Sequence, residues 1–378
     1  MKGNRLTEEK ETVERAATLL RELIPPGWLV ETAVAEPSGD APDQKQVRPD
    51  ALMTLRASDG SSSTMAVEAK RSLSPREVDA VFAMFARLKV PAGGPSGLVV
   101  APWLSQRAQD LLAADDINYL DLTGNVLLKL GDPALFIKMT GATRQPGRRP
   151  TSQARVRGPK AGRLVRFLAD VRPPYRVKEI AEVAGLASGY VSRLLDTLDG
   201  EAIVDRSRRG RVEAVDYEAL LRRWAEYYDL LKSKEAKTFI APAGAAASVS
   251  RLVSLRLAER FAVTGSFAAV RLAPIAAPVL LAIYTDDADS IASSLGLLPA
   301  DEGANVALLK PFDPVVYERA AQEDGLSYVA PSQAAVDCLA GNGRMPAEGE
   351  ALLTWMKENE SLWRFPSLES FLEGSGGR

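Results

Sequence analysis

The stretch PDALMTLRASDGSSSTMAVEAK, residues 49–70, decides how the front of this chain folds. Asp50–Arg56 and Thr64–Ala69 read as short strands around the turn Ser58-Asp59-Gly60-Ser61, a hairpin signal. Pairing those strands brings one carboxylate, Asp50, toward a second, Glu68, and toward the amine of Lys70. Hard cations such as Mg²⁺ take oxygen ligands and need only one or two carboxylates beside several waters. A metal held there can activate water and stabilise a phosphoryl transition state, and Lys70 adds positive charge where negative charge develops.

Around this hairpin the pattern continues. Residues 9–24 form an amphipathic helix, with Val13, Ala16, Ala17, Leu20 and Leu23 on one face, ended by Pro25-Pro26-Gly27. Trp28–Ala35 is a strand. Pro75–Leu88 is a helix with Val78, Val81, Phe82 and Phe85 inward, and Ser96–Ala101 is a buried strand. Ser105 caps a helix to Ala114. Ile117–Leu122 and Val126–Leu130 are strands around Thr123-Gly124-Asn125. The order α-β-β-β-α-β-α-β-β specifies a mixed α/β layer fold.

Composition narrows the chemistry. The 378 residues include no histidine and a single cysteine, Cys338. Ser-His-Asp and Cys-His catalysis, histidine ligation of zinc and an internal disulfide framework are therefore excluded. Any hydrolytic chemistry must run on carboxylates, lysine and a hard metal. No apolar run is long enough to span a membrane, the N-terminus does not read as a secretory signal, and a cytoplasmic location is expected. Net charge is only −2, but its distribution is uneven. From Pro133 to Ala169 there are nine basic residues and no acidic one, while Asp301 to Arg378 carries 13 acidic residues against six basic. A basic middle suggests a polyanionic partner.

After a Gly-, Pro- and Arg-rich linker, residues 162–215 predict three short helices and a basic hairpin. Leu164, Val165, Leu168 and Ala169 carry the first helix, Arg176–Val183 the second and Ala187–Asp199 the third, with Gly185 at the turn. Ile203–Arg206 and Val212–Val215 pair across Ser207-Arg208-Arg209-Gly210. The segment VKEIAEVAGLASGYVSRLLDTLDGEAIVDR, residues 177–206, resembles bacterial winged-helix regulators. A recognition helix presents its first turns to the major groove. Those positions are Ser188, Gly189, Tyr190, Ser192 and Arg193, and the wing offers Arg206, Arg208, Arg209 and Arg211 to phosphates or a minor groove. Arg155, Arg157 and Lys160 of the linker add sequence-independent phosphate affinity.

The N-terminal segment resembles the restriction-endonuclease-like family, whose motif is Pro-Asp…(Asp/Glu)-x-Lys. The resemblance makes Asp50 and Glu68 the metal-binding carboxylates, Lys70 the catalytic lysine and Glu14 an additional acid from the first helix. Tyr119-Leu120-Asp121-Leu122-Thr123-Gly124-Asn125 resembles a YxDxxGN element that accompanies such domains in fused DNA-binding regulators; its Gly-Asn also reads as a hairpin turn.

Beyond Asp216, helices are predicted at 216–232, 288–296, 314–324, 332–340 and 346–359, with strands at Phe261–Thr264 and Val279–Tyr284. Val263-Thr264-Gly265-Ser266 and Tyr328–Gln333 resemble the C-terminal region of type IV, AbiEi-like antitoxin regulators, which pair a winged helix with a nucleotidyltransferase-like domain. Gly265-Ser266 is followed by its next acids, Asp286, Asp287 and Asp289, only about 20 residues later. That spacing favours a non-catalytic domain, and Cys338 reads as core.

The expected organisation is therefore a multidomain α/β protein. A restriction-endonuclease-like domain spans 1–142 and a basic flexible linker 143–161. A winged helix-turn-helix spans 162–215 and a nucleotidyltransferase-like domain 216–378. The expected function is a DNA-binding transcriptional regulator of the antitoxin kind, with no cofactor. The alternative is a Mg²⁺- or Mn²⁺-dependent endonuclease aimed by its winged helix. Expected partners are double-stranded DNA, a toxin or defence-system protein, and a second copy of the chain in a homodimer. The DNA site and the oligomeric state stay open.

Overall fold

The computed structural model describes residues 2–34, 48–88, 96–142, 156–207, 209–228, 230–231, 236–255 and 260–375. The chain is a multidomain mixed α/β protein that divides into two compact units, residues 1–151 and the bulk of 152–378. Among the described residues, no helix is long and apolar enough to cross a membrane.

The first unit runs α1 (Lys2–Leu23), β1 (Leu29–Val34), β2 (Ala51–Arg56), β3 (Ser62–Ala69), α2 (Val78–Arg87), β4 (Ser96–Ala101), α3 (Gln106–Ala114), β5 (Asn118–Asp121), β6 (Val126–Leu130) and β7 (Leu135–Met139). Its seven strands lie in sequence order in one sheet. The β3–β4 and β4–β5 neighbours are parallel and all other pairs antiparallel. Strand periodicity of two sorts the side chains by face. Met53, Met65, Val67, Leu98 and Val100 meet Val13, Ala16 and Leu20 of α1. Val99, Ala101, Tyr119 and Leu127 meet Val78 and Val81 of α2 and Leu112 of α3. Phe82, expected inward, is 47% exposed, and Phe85 is only partly buried. The short α2 therefore buries a narrower stripe than its apolar content implied.

Asp121 is fully buried at the end of β5. It accepts hydrogen bonds from the amides of Leu104, Thr123 and Asn125, from Thr123 Oγ1 and from Asn125 Nδ2. Asn125 in turn donates to Ala142 O and accepts from Gly141 N. The YLDLTGN segment is thus a carboxylate-centred knot that ties the β5–β6 turn to the chain leaving β7. Gly141 is required there, because a Cβ would lie 2.2 Å from Thr123 O.

The second unit opens with α4 (Pro159–Asp170), α5 (Val177–Val183), α6 (Ser188–Gly200), β8 (Val204–Arg206) and β9 (Val212–Val215). Tyr175 and Val212 exchange both backbone hydrogen bonds, so the chain between α4 and α5 joins the β8–β9 hairpin. The unit continues through α7 (Tyr217–Ala225), β10 (Ala236–Ile240), α8 (Ala245–Ser254), β11 (Phe261–Thr264), α9 (Ser266–Ala269), β12 (Leu281–Thr285) and α10 (Ala288–Leu295). It closes with β13 (Leu298–Pro299), β14 (Val306–Leu309), β15 (Ala321–Glu323), β16 (Leu326–Tyr328), α11 (Pro331–Leu339), α12 (Met345–Glu358), α13 (Glu360–Trp363) and α14 (Leu368–Ser375). Its seven-stranded sheet has the order β13-β10-β14-β12-β11-β16-β15. The helix predicted over 314–324 is instead a 3₁₀ turn at Pro314–Tyr317 followed by strand β15. Arg319, with φ of 62°, lies between them and cannot continue a right-handed helix.

One hydrophobic core runs through this unit, joining Leu164, Leu168 and Leu194 of the helical segment to Ile283 and Val336 beside the sheet. Gly162 lets α4 come close, since a Cβ there would lie 2.6 Å from Trp224 and Phe312. Helix α11 is buried nearly all round, including Ser332, Gln333 and Asp337, so each of these polar groups needs a partner. Asp337 accepts from Thr264 Oγ1 (2.5 Å), Tyr284 Oη (3.0 Å) and Gln333 Nε2 (2.8 Å). Gln333 Oε1 accepts from the buried Arg166 of α4, and Arg166 also donates to Asp170 and to the carbonyls of Val315 and Glu318. Ser332 Oγ completes the cluster by donating to Asp170.

Burial pushes Asp337 up to about 6, despite four hydrogen bonds, from Thr264, Gln333, Tyr228 and Tyr284, that favour its charged form. The folded state therefore prefers its neutral form. That preference is fully expressed below the ordinary value of 3.8 and is lost as pH rises through about 6. Asp337→Asn keeps the shape: its Oδ1 still accepts from Tyr284 and Gln333, and its Nδ2 can donate to Thr264 Oγ1 once that hydroxyl rotates to accept. Between pH 4 and 7.5 the wild type is expected to lose on the order of 3 kcal/mol relative to this variant. Urea unfolding at the two pH values measures the difference, and a pH-independent gap would refute it.

Candidate functional site

Asp50 immediately precedes β2 and lies one position beyond the Ala51–Val67 pair, which sets it opposite Glu68 on β3. Its backbone donates to Val67 O, and its Oδ2 accepts from Ala69 N at 2.8 Å. Lys70, just past β3, donates its backbone N–H to Val100 O and its ammonium to Glu68 Oε1 at 2.6 Å. Three side chains named from the sequence thus meet at the carboxyl end of a strand that is parallel to β4.

The electrostatics of this trio are strained. Burial raises the pKa of both Asp50 and Glu68; the charges of Asp50 and Glu9 raise Glu68 further, Glu9 also raises Asp50, and a hydrogen bond from Glu68 lowers Asp50. Lys70 lowers both without cancelling the rise. A half-buried carboxylate, Asp50, and a buried one, Glu68, in hydrogen-bonding range cannot both ionise comfortably unless a cation joins them. The donor set fits a small hard cation completed by water and phosphate oxygens. Among the described residues, no cluster of three or more His, Cys, Asp or Glu is arranged to hold a metal.

Glu14 is not part of this field. It is exposed on α1, and the α1 carboxylate whose charge reaches both Asp50 and Glu68 is Glu9. The two are five positions apart, which at 3.6 residues per turn places them on different faces of the helix. A pattern of acids along α1 gave no means to choose between them.

The second candidate surface lies on α5, α6 and the β8–β9 hairpin. Apolar spacing on α6 buries Val191, Leu194, Leu195 and Leu198, which turns Ser188 and Arg193 outward. Tyr190 and Ser192 are half-buried, with Tyr190 packed on the core, where burial raises its pKa. Arg209 and Arg211 are exposed on the hairpin around Gly210, whose φ of 77° makes the turn. Arg206, expected to face outward with them, is turned back: it pairs with Asp196 at 2.5 Å and reaches Gly210 O. Its charge braces the hairpin against α6. Arg157 and Lys160 are exposed at the start of α4. Arg155 and Arg208 lie outside the described residues.

Two further arginines of the basic run face inward. Arg163 forms a two-bond pair with Asp313, and Arg166 is buried against Asp170. Arg166 and Asp170 sit four positions apart on a helix that is otherwise largely apolar, which was the available signal. Arg176 and Lys178, exposed at the start of α5, are cations that motif and spacing did not single out.

In the C-terminal sheet, Ser266 is buried behind Gly265, whose φ is 61°. Asp287 caps α10 through Ser290 N, and Asp289 pairs with Lys237. Both carboxylates thus have structural partners, and Asp286 is exposed. Cys338 is buried, and that burial pushes its thiol up.

Compared with family models, curated proteins and solved structures, the chain shows no match.

Relieving the carboxylate pair should stabilise the N-terminal unit. Because the folded state favours a neutral Asp50, Asp50→Asn removes a penalty that grows as pH rises above the ordinary carboxylate range. In EDTA at pH 7.5 the variant is expected to unfold at a higher temperature than the wild type, with the gap closing as pH falls toward the ordinary carboxylate range. Millimolar Mg²⁺ or Mn²⁺ should raise the wild-type midpoint and leave the variant unmoved. Differential scanning fluorimetry reads both effects, and a variant that melts lower in EDTA would contradict the account.

Proposed function

We propose that this chain is a duplex-DNA-binding regulator that grips DNA through residues 162–215, read as a winged helix-turn-helix, and the basic segment that precedes them. The supporting observation is the exposed arginine set. Arg193 leaves the second turn of α6, Arg209 and Arg211 leave the hairpin, and no ion pair holds any of the three among the described residues. Helix α6 offers small side chains at Ser188 and Gly189, so its first turn can approach a major groove closely. Arg193 then reaches a base edge or phosphate, and the hairpin arginines neutralise the flanking backbone. On this reading the C-terminal sheet is a nucleotidyltransferase-like scaffold of the kind found in type IV antitoxin regulators. It supports the helical segment and takes no catalytic part, and the protein acts in the cytoplasm.

Binding carried by phosphate contacts weakens with salt in proportion to the number of contacts. The triple variant Arg193→Ala, Arg209→Ala, Arg211→Ala is therefore expected to flatten the slope of log K against log salt by about 2–3. Fluorescence anisotropy with the DNA upstream of the chain's own reading frame measures it. Equal slopes in wild type and variant would reject this surface as the grip.

A second reading is supported by the convergence of Asp50, Glu68 and Lys70. In it the N-terminal unit is a restriction-endonuclease-like, Mg²⁺- or Mn²⁺-dependent nuclease, targeted by the same helical segment. A cation on Asp50 and Glu68 would supply Lewis acidity toward the scissile phosphate. Lys70 would hold positive charge beside it, and the half-buried setting would strengthen that field. Plasmid incubated with Mn²⁺ is expected to be nicked by the wild type and at least about 100-fold more slowly by Asp50→Ala. Equal traces in the two gels would end this reading.

A further inference from the structure

Between the N-terminal half of α1 and the ends of the parallel strands runs an open cleft of about 330 Å³. Glu8, Glu11, Thr12 and Arg15 line its helix side at positions i, i+3, i+4 and i+7, so they form one stripe. Arg71, Pro102 and Leu122 line the other side. Those three residues lie just past the ends of β3, β4 and β5, so the cleft sits outside the carboxyl ends of the parallel strands. Open α/β sheets bind ligands in that position.

Two guanidinium groups face this cleft, and their states differ in a useful way. Arg71 uses Nε to hold Glu8 at 2.7 Å, while its side chain stays 63% exposed. A guanidinium carries five N–H donors, so the Glu8 contact fixes the plane and leaves both terminal amino groups to a ligand. Arg15 is exposed and makes no ion pair among the described residues. Planar forks of this kind recognise phosphate oxygens two at a time. Lys70 and Arg71 are consecutive just past β3, where Lys70 pairs with Glu68 and Arg71 with Glu8 of α1. A strand of nucleic acid crossing the end of β3 would meet Lys70 at one phosphodiester and Arg71 at a neighbouring one.

We infer that the Arg15–Arg71 cleft is a phosphate subsite for a nucleic-acid strand, separate from the α6 grip, holding a phosphodiester beside the one that Lys70 faces. The inference rests on the nuclease reading for the role of that phosphate, but the binding itself does not require cleavage. Glu8 orients Arg71. Thr12 Oγ1 is committed to Glu8 O and holds the helix backbone there.

The test uses the full chain carrying Arg193→Ala, Arg209→Ala and Arg211→Ala, so that the α6 grip is weakened, and a fluorescein-labelled duplex of about 20 base pairs and arbitrary sequence. Adding Arg15→Gln and Arg71→Gln is expected to flatten the remaining salt slope by about 0.9, the contribution of the one phosphate left without its cations. In Mn²⁺ the same pair of changes is expected to raise KM for cleavage about tenfold while leaving kcat within about twofold, the signature of weakened ground-state binding. An unchanged salt slope overturns the subsite whether or not the protein cleaves. A chain that never cleaves but shows the slope change removes the nuclease reading and leaves the subsite standing.

Discussion

Arg166 is the constraint on which the second unit depends. It is a guanidinium 1% exposed, on the first helix of the three-helix segment. A charge buried that deeply is tolerated only when opposite charge and hydrogen-bond acceptors surround it. Asp170, Gln333 and two backbone carbonyls supply them, drawn from α4 itself, α11 and the turn around Pro314. Removing one partner would strand the others, so α4 has one seat against α11. The same geometry carries through Gln333 to Asp337 and from there to β11 and β12. Residues 156–215 are therefore built into the core of the C-terminal sheet, and the outward arginines stand on a rigid base.

The arginines of this unit divide along that line. Arg163, Arg166 and Arg206 have carboxylate partners inside the unit, whereas Arg193, Arg209 and Arg211 are exposed. Only the second group can neutralise a phosphate without first breaking an internal pair. Counting positive charges along the sequence overstated the free cationic surface, because the count cannot tell a structural guanidinium from a binding one. What separates them is helix phase: Arg166 falls on a face shared with apolar residues, and Arg193 falls between the buried positions Val191 and Leu194 on the opposite side of its helix.

Much of the N-terminal site was legible because it depends on local rules. A turn at Ser58–Ser61 fixes the β2–β3 register, and that register sets Asp50 opposite Glu68. The three helices and the hairpin of the second unit followed from apolar spacing, glycine at the turn and flanking charge. Other elements were not legible. Strands β7, β10, β14 and β16 are short, and their pairing is decided by distant partners, so propensity alone does not mark them. The choice between Glu9 and Glu14 depends on how α1 is rotated over the sheet. The Arg15–Arg71 cleft joins residues from two distant stretches of the chain and has no sequence signature.

Amide hydrogen exchange on the full chain, with and without its upstream duplex DNA, tests the central claim most directly. Slowed exchange is expected at the start of α6 and along the β8–β9 hairpin when DNA is bound, at salt low enough to saturate the complex. Protection confined to the C-terminal sheet, with residues 188–212 exchanging as in the free protein, would contradict it.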